Sequence, residues 1–173
     1  MKFVFPCQAY EQKAIDYIQE FHEYASQING TSGLQVFLAM DKTYSDWLSK
    51  VMNDIDIANI TEDRVPQFCY FYVREDDDRI TGMITIRPVL PGNGSGHIGY
   101  SIRPTERRKG YGAAMLCDAL VVCPLIGLKE IIITCDISNV ASAGVAVKCG
   151  GVLVAEYYNE IFEANIQSYR IDL

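Results

Sequence analysis

The chain is poor in the residues that build metal and redox sites. Only two histidines, His22 and His97, occur in 173 residues, and they lack the short spacing of a ligand pair. The six cysteines, Cys7, Cys69, Cys117, Cys123, Cys135 and Cys149, include no CxxC. No zinc site, and no metal, is expected. The cysteines mostly stand in apolar surroundings, which predicts buried free thiols in a reducing cytoplasm. Long hydrophobic runs are missing as well. The longest, Ala119 to Leu128, contains Pro124 and falls short of the roughly 20 residues that cross a bilayer, so no membrane partner is expected. After Lys2 only Phe3, Val4 and Phe5 precede Pro6, too little for a secretory signal. Positive charge is in deficit: 15 Lys+Arg stand against 22 Asp+Glu, a formal net charge of -7. That balance argues against nucleic acid as a partner.

Core-forming residues, by contrast, are plentiful. Apolar residues make up 49% and charged residues 21%, enough for one folded domain over residues 1–173. Lys2 to Phe5 reads as a short strand. Tyr10 to Ile28 reads as a helix, with Ile15, Ile18, Phe21, His22 and Ala25 at helical spacing and Asn29-Gly30 as its stop. Within this stripe His22 reads as structural. Asp41 to Ile57 reads as a second helix, carrying Tyr44, Trp47, Leu48, Val51, Met52 and Ile55 on one stripe. Asn59 to Pro66 is a connecting loop. Gln67 to Arg74 and Ile80 to Arg87 predict a hairpin around an acidic turn. His97 to Arg103 predicts a strand in which Ile98, Tyr100 and Ile102 alternate with His97, Gly99, Ser101 and Arg103. Gly110 to Val122 reads as a helix, Glu130 to Asp136 as a sheet-centre strand. Val140 to Cys149 reads as a helix capped by Asn139 and stopped by Gly150-Gly151. Val152 to Tyr158 and Gln167 to Ile171 close the chain as strands. The order predicts an α/β fold with a mixed sheet.

One segment stands apart, Ser101-Ile-Arg-Pro-Thr-Glu-Arg-Arg-Lys-Gly-Tyr-Gly-Ala113. It joins a strand to a helix through a basic, glycine-containing loop. A helix N-terminus offers unpaired N–H groups and the positive end of the helix dipole. Gly110 and Gly112 admit a ligand close to that backbone, and Arg103, Arg107, Arg108 and Lys109 add charge. These are the parts of a polyphosphate site. A dinucleotide fingerprint is excluded by Met115 at the position of its third glycine. A P-loop is excluded by the absence of Gly-Lys-Ser/Thr.

Arg107, Gly110 and Gly112 fill the pattern R/Q-x-x-G-x-G/A. In this and in its surroundings the chain resembles the GNAT superfamily of N-acetyltransferases, in a bacterial branch of predicted acetyltransferases. The likeness extends through Asp46-Trp47-Leu48, Gly82-Met-Ile-Thr-Ile-Arg87, Ile133-Thr-Cys-Asp-Ile-Ser-Asn139, Ala141-Ser142 and Lys148-Cys-Gly-Gly-Val152. It implies a mixed, largely antiparallel central sheet with splayed central strands and flanking helices. It implies acetyl-CoA as co-substrate, with pantetheine lying between the splayed strands. The backbone from Tyr100 through Ile102 to Arg103 would receive it. The amides of Arg108, Lys109, Gly110, Tyr111, Gly112 and Ala113 would hold the pyrophosphate, assisted by the side chains of Arg103, Arg107, Arg108 and Lys109. Asn139 and Ser142 match the N-x-x-S opening of the last family helix, where both lie near the cofactor.

One departure is plain. Many family members carry a tyrosine four residues after that serine, as acid for the departing thiolate; here the position holds Ala146. Tyr157 and Tyr158 are candidates to replace it, and His97 is the candidate base. The first two helices and the loop from Pro88 to Gly96 are expected to shape the acceptor pocket, with Trp47, Tyr70 and Tyr72 as candidate lining. The implied reaction is direct attack of a primary amine, on a small molecule or a protein, in a ternary complex. The alternative is an acyl-CoA-binding module without turnover. Homodimerisation, common in the superfamily, is a further expectation.

Overall fold

The computed structural model describes residues 1–61 and 64–173. Among these residues seven strands form two antiparallel sheets. The first contains β1 (Lys2–Val4), β2 (Phe68–Arg74), β3 (Arg79–Ile86) and β4 (Ile98–Ile102), side by side in that order. The second runs β5 (Glu130–Asp136), β7 (Ala164–Asp172), β6 (Val152–Asn159). Strands β2 and β3 read as nearly continuous apolar runs because both of their faces are covered. On one face lie α1 (Glu11–Glu23), α2 (Leu34–Ala39) and α3 (Tyr44–Asn53), which bury Tyr17, Phe21, Leu34, Trp47 and Val51 against Phe71, Val73 and Met83. On the other lie α4 (Tyr111–Val122) and α5 (Val140–Lys148). There Met115, Leu116, Ala119 and Ala146 pack with Ile84, Ile86 and Ile98 of the first sheet and Ile131, Ile133 and Ile171 of the second.

The hairpin, the span of β5 and the last two helices fall where the sequence places them, but β5 was expected at a sheet centre and instead forms an edge of the second sheet, whose middle strand is β7. The first helix ends early, at Glu23, and Ala25 then takes a positive φ of 45°. The second expected helix shrinks to α3, because a capping box between Thr43 and Asp46 fixes its start. Between them α2 was not expected; six residues are too few for a periodic signal. His22 is exposed, and Ala14 and Tyr17 take the buried stripe instead. Of the cysteines, Cys69, Cys123 and Cys135 are buried, whereas Cys7 and Cys117 are exposed. Part of the loop from Asn59 to Pro66 lies outside the described residues. No helix among the described residues is long and apolar enough to cross a membrane.

The two sheets meet where β4 begins. His97 N–H donates to Ile132 O (2.8 Å), and Ile132 N–H donates to His97 Nδ1 (2.9 Å). Gly96 N–H donates to Thr134 Oγ1 (3.0 Å). The approach is close enough to require glycine: a Cβ at Gly96 would sit 2.3 Å from Ile132 O. Beyond this joint β4 and β5 share no ladder. That is the expected splay.

Candidate active site

The splay leaves one edge of β4 without a strand. Arg103 N–H bonds to Thr81 O (2.9 Å) at the far end of the ladder with β3. Antiparallel pairing alternates, so the N–H and C=O of Tyr100 and Ile102 face the opening toward β5. The strand then turns into α4 through the basic loop. Arg108 and Gly110 both have positive φ, 61° and 84°. For Gly110 this is unstrained, and it serves as N-cap of α4. The amides of Arg108, Lys109, Gly110, Tyr111, Gly112 and Ala113 find no acceptor among the described residues. Gly112 packs close to α5 and β4: a Cβ there would lie 3.3 Å from Val145 Cγ2 and 3.6 Å from Ile102 Cγ1. Six consecutive donors without an acceptor among the described residues, at a helix N-terminus beside a strand edge that carries no neighbouring strand, have the chemistry to receive an anion attached to an extended chain.

The four basic side chains of the loop behave differently from one another. Arg103 turns inward. Its Nη1 donates to Glu20 Oε2 (2.9 Å), its guanidinium lies 5.4 Å from the centre of the Tyr17 ring, and it is 6% exposed. Burial, then the neighbouring Arg79, press its pKa below the usual arginine range. Arg103 is thus committed to an ion pair, and its side chain is not directed at the amide cradle. Arg107 donates to Ile102 O (3.1 Å) and Ser26 Oγ (2.7 Å), which fastens the loop to β4 and to the end of α1. Lys109 pairs with Glu106 (2.9 Å). Arg108 is the one of the four with no hydrogen-bond or ion-pair partner among the described residues.

Two carboxylates that sequence reasoning missed organise this loop from below. Glu20 accepts from Arg103, from Arg79 Nη2 (3.2 Å), and from the N–H and hydroxyl of Thr105 (2.9 and 2.8 Å). Glu106 faces Arg74 (3.1 Å), Arg79 (3.4 Å) and Lys109. Burial works against charge on both. For Glu20 the Thr105 and Arg103 bonds overcome it, for Glu106 those of Lys109 and Arg74, and both carboxyls end below their usual range. A signal was present for one of them: Glu20 lies between buried Tyr17 and Phe21 on the apolar stripe of α1.

Across the opening, Asn139 caps α5 by accepting from Ser142 N–H (3.1 Å). The Tyr100 hydroxyl reaches from β4 to Ser142 Oγ (3.2 Å). Burial pushes its pKa up to about 12, against the opposing effect of Ser142. Ala146 is fully buried under this contact, in the cluster that packs against Tyr100. Tyr157 and Tyr158 lie on β6, the outer strand, and the Tyr157 hydroxyl is taken by Gly94 O (3.2 Å). His97 is buried and its Nδ1 lone pair is engaged by Ile132 N–H; burial lowers its pKa further. Trp47 and Tyr72 are core residues, with Trp47 Nε1–H donating to Thr31 O (3.0 Å) and the Tyr72 hydroxyl to Asp118 (2.6 Å). No cluster of three or more His, Cys, Asp or Glu among the described residues could hold a metal.

Comparison with known proteins places this geometry. Residues 18–152 match the acetyltransferase (GNAT) domain family. No curated protein sequence matches the chain. Solved structures do. The ribosomal-protein-S5-alanine acetyltransferase of Vibrio fischeri superposes with TM-score 0.73 at 14% identity, covering 98% of this chain and 91% of its own. The microcin C7 self-immunity acetyltransferase, solved with acetyl-CoA and AMP, gives 0.69 at 17%, covering 99% and 91%. The spermidine N-acetyltransferase of Vibrio cholerae, solved with CoA and spermine, gives 0.65 at 12%, covering 99% and 94%. Such identities speak for the fold alone, but the domain match spans most of the chain. This protein belongs to the GNAT acetyltransferase family.

Proposed function

We propose that the protein moves an acetyl group from acetyl-CoA to a primary amine, by direct attack in a ternary complex. The observation that carries this reading is the run of free amides from Arg108 to Ala113 beside the open edge of β4. In it, those amides and the Arg108 side chain hold the pyrophosphate. The Tyr100 N–H and C=O and the Ile102 N–H pair with pantetheine as a strand would, the Ile102 carbonyl being held by Arg107. A Tyr100 or neighbouring amide polarises the thioester carbonyl as negative charge grows on its oxygen. Asn139 and Ser142 border the arm from the α5 side.

The amine gives up its proton to water before attack, because His97 Nδ1 is already engaged in the sheet joint. Its nitrogen lone pair then bonds to the carbonyl carbon, the C–S bond breaks with its electron pair on sulfur, and the second proton of the attacking nitrogen passes to water or to the departing thiolate. The Tyr100 hydroxyl, with Ser142, takes the place of the tyrosine missing at Ala146. Its task is to donate a hydrogen bond to the thiolate. Full proton transfer from a phenol at about 12 to a thiolate whose thiol titrates near 8.5 would run uphill by about 5 kcal/mol. A thiol of that acidity leaves without a dedicated acid.

Thermal unfolding with acetyl-CoA, free CoA and ADP tests the cradle, and a panel of amines with CoA release tests turnover. Ligand at about 100 times Kd is expected to add roughly 2.7 kcal/mol of stability. Gly110→Glu, which places a strained, anionic side chain in the cradle, is expected to abolish the shift. No shift at millimolar acetyl-CoA would discard the site. Binding with no turnover on any amine would discard the reaction.

A further inference from the structure

Arg87 follows β3 directly and stands opposite His97, to whose C=O its own N–H donates (2.8 Å). Its guanidinium is half-buried and makes one protein hydrogen bond, from Nη1 to Gly96 O at 3.3 Å. No carboxylate pairs with it among the described residues. Burial accordingly pushes its pKa down, with only a small opposing effect from Cys69. Among the described residues the nitrogens sealed from solvent without a hydrogen-bond partner are Arg79 Nε and Arg103 Nε, not those of Arg87, so its remaining N–H groups can be reached.

What surrounds it is small and free of charge. A Cβ at Gly99 would lie 3.7 Å from both Nη1 and Nη2, so no side chain separates this guanidinium from the β4 backbone. Thr85 sits opposite Gly99 in the ladder, and its hydroxyl meets that of Ser32 (3.1 Å). The Gly30 backbone closes the other side, where a Cβ would come within 2.4 Å of Gly99 O. This is the face of β4 that carries α1 to α3. Tyr100 and Ser142 lie on the opposite face.

We infer that Arg87 binds an anionic group of the amine acceptor, in the simplest case a carboxylate, and so selects amines that carry one. The inference rests on the acetyltransferase reading, which brings the acceptor to the β4 edge beside Gly99. A half-buried cation without a counter-charge is costly to a fold. An incoming carboxylate supplies the missing charge and two acceptors for the planar fork. A polycationic acceptor would meet repulsion at the same point.

The test uses the whole chain as wild type, Arg87→Met and Arg87→Lys. In the first arm, Tm is read in sodium acetate against sodium chloride at equal ionic strength, without acetyl-CoA. Acetate is expected to raise the Tm of wild type and not of Arg87→Met, and Arg87→Met in chloride is expected to be at least as stable as wild type. In the second arm, amino acids are compared with the amines left when the carboxylate is replaced by hydrogen, with spermidine alongside. Wild type is expected to favour the carboxylate-bearing partner by about tenfold or more in kcat/KM. Arg87→Met is expected to lose that preference through KM, and Arg87→Lys to keep part of it. Three results would overturn the inference: preference for spermidine, an equal fall in kcat for every acceptor, or a destabilised Arg87→Met with an unchanged acetate response. A missing acetyl-CoA shift in wild type and variants alike would strike the cofactor reading instead, while the acetate arm still reads Arg87.

Discussion

Arginines flank both ends of β4, and the protein treats them in opposite ways. At the end that leads into α4, Arg74, Arg79 and Arg103 are matched by the buried carboxylates Glu20 and Glu106. At the other end Arg87 has a carbonyl and, among the described residues, no carboxylate. Cations that serve the framework are given their counter-charges by the chain itself. On the inference drawn above, the acceptor supplies the counter-charge of the cation left without one. The basic loop follows the same division: Arg103, Arg107 and Lys109 are tied to protein groups, and Arg108 has no partner among the described residues.

The largest expected effect comes from opening the matched end. Glu20→Gln leaves Arg103 buried without its counter-charge and is expected to cost about 3–5 kcal/mol in urea unfolding, against no loss for Arg87→Met. A cost below about 1 kcal/mol would dissolve the contrast between the two ends. Acid gives the next effect. Glu20 and Glu106 have pKa values lowered by folding, so their contribution is fully present above the carboxyl's ordinary value of 4.5 and is lost as pH falls below it through their folded values. Tm measured between pH 6 and 3 is expected to fall through that window, and to fall less in a Glu20→Gln, Glu106→Gln double variant relative to its own neutral value. The smallest effect separates neighbours in the loop. Arg108→Ala is expected to weaken acetyl-CoA by about fivefold with Tm unchanged, an exposed charge–phosphate contact being worth about 1 kcal/mol. Lys109→Ala is expected to lower Tm slightly and leave affinity nearly intact. Equal losses of affinity in calorimetry would mean that the Glu106 pair opens on binding.

Sequence reasoning reached what is encoded at short range. The span of β5 is legible residue for residue because it is one apolar run between a loop and a cap. The cap of α5 is legible because Asn139 and Ser142 are three positions apart. The amide cradle is legible because glycine, turn and helix start adjoin in the chain. The pairing of Arg103 with Glu20 is not, because 83 residues separate them and only the packing of α1 on β4 brings them together. From sequence, a basic residue in a phosphate loop reads as a phosphate ligand; whether it turns in or out is decided by a helix far upstream. His97 is similar. Its type suits a base, but its neighbour across the joint, Ile132, takes its lone pair.

That joint has a consequence for how the molecule comes apart. Few backbone bonds link the two sheets, and α4 and α5 cover their common face as a shared roof. Strands β2 and β3, shielded on both sides, are expected to exchange their amide protons most slowly among the strands, and strand β6, exposed along most of its length, to exchange faster than they do. Between these extremes β5 and β7 are expected to open with α5 as one cooperative unit, with the gap beside β4 as the seam along which that unit parts from the rest.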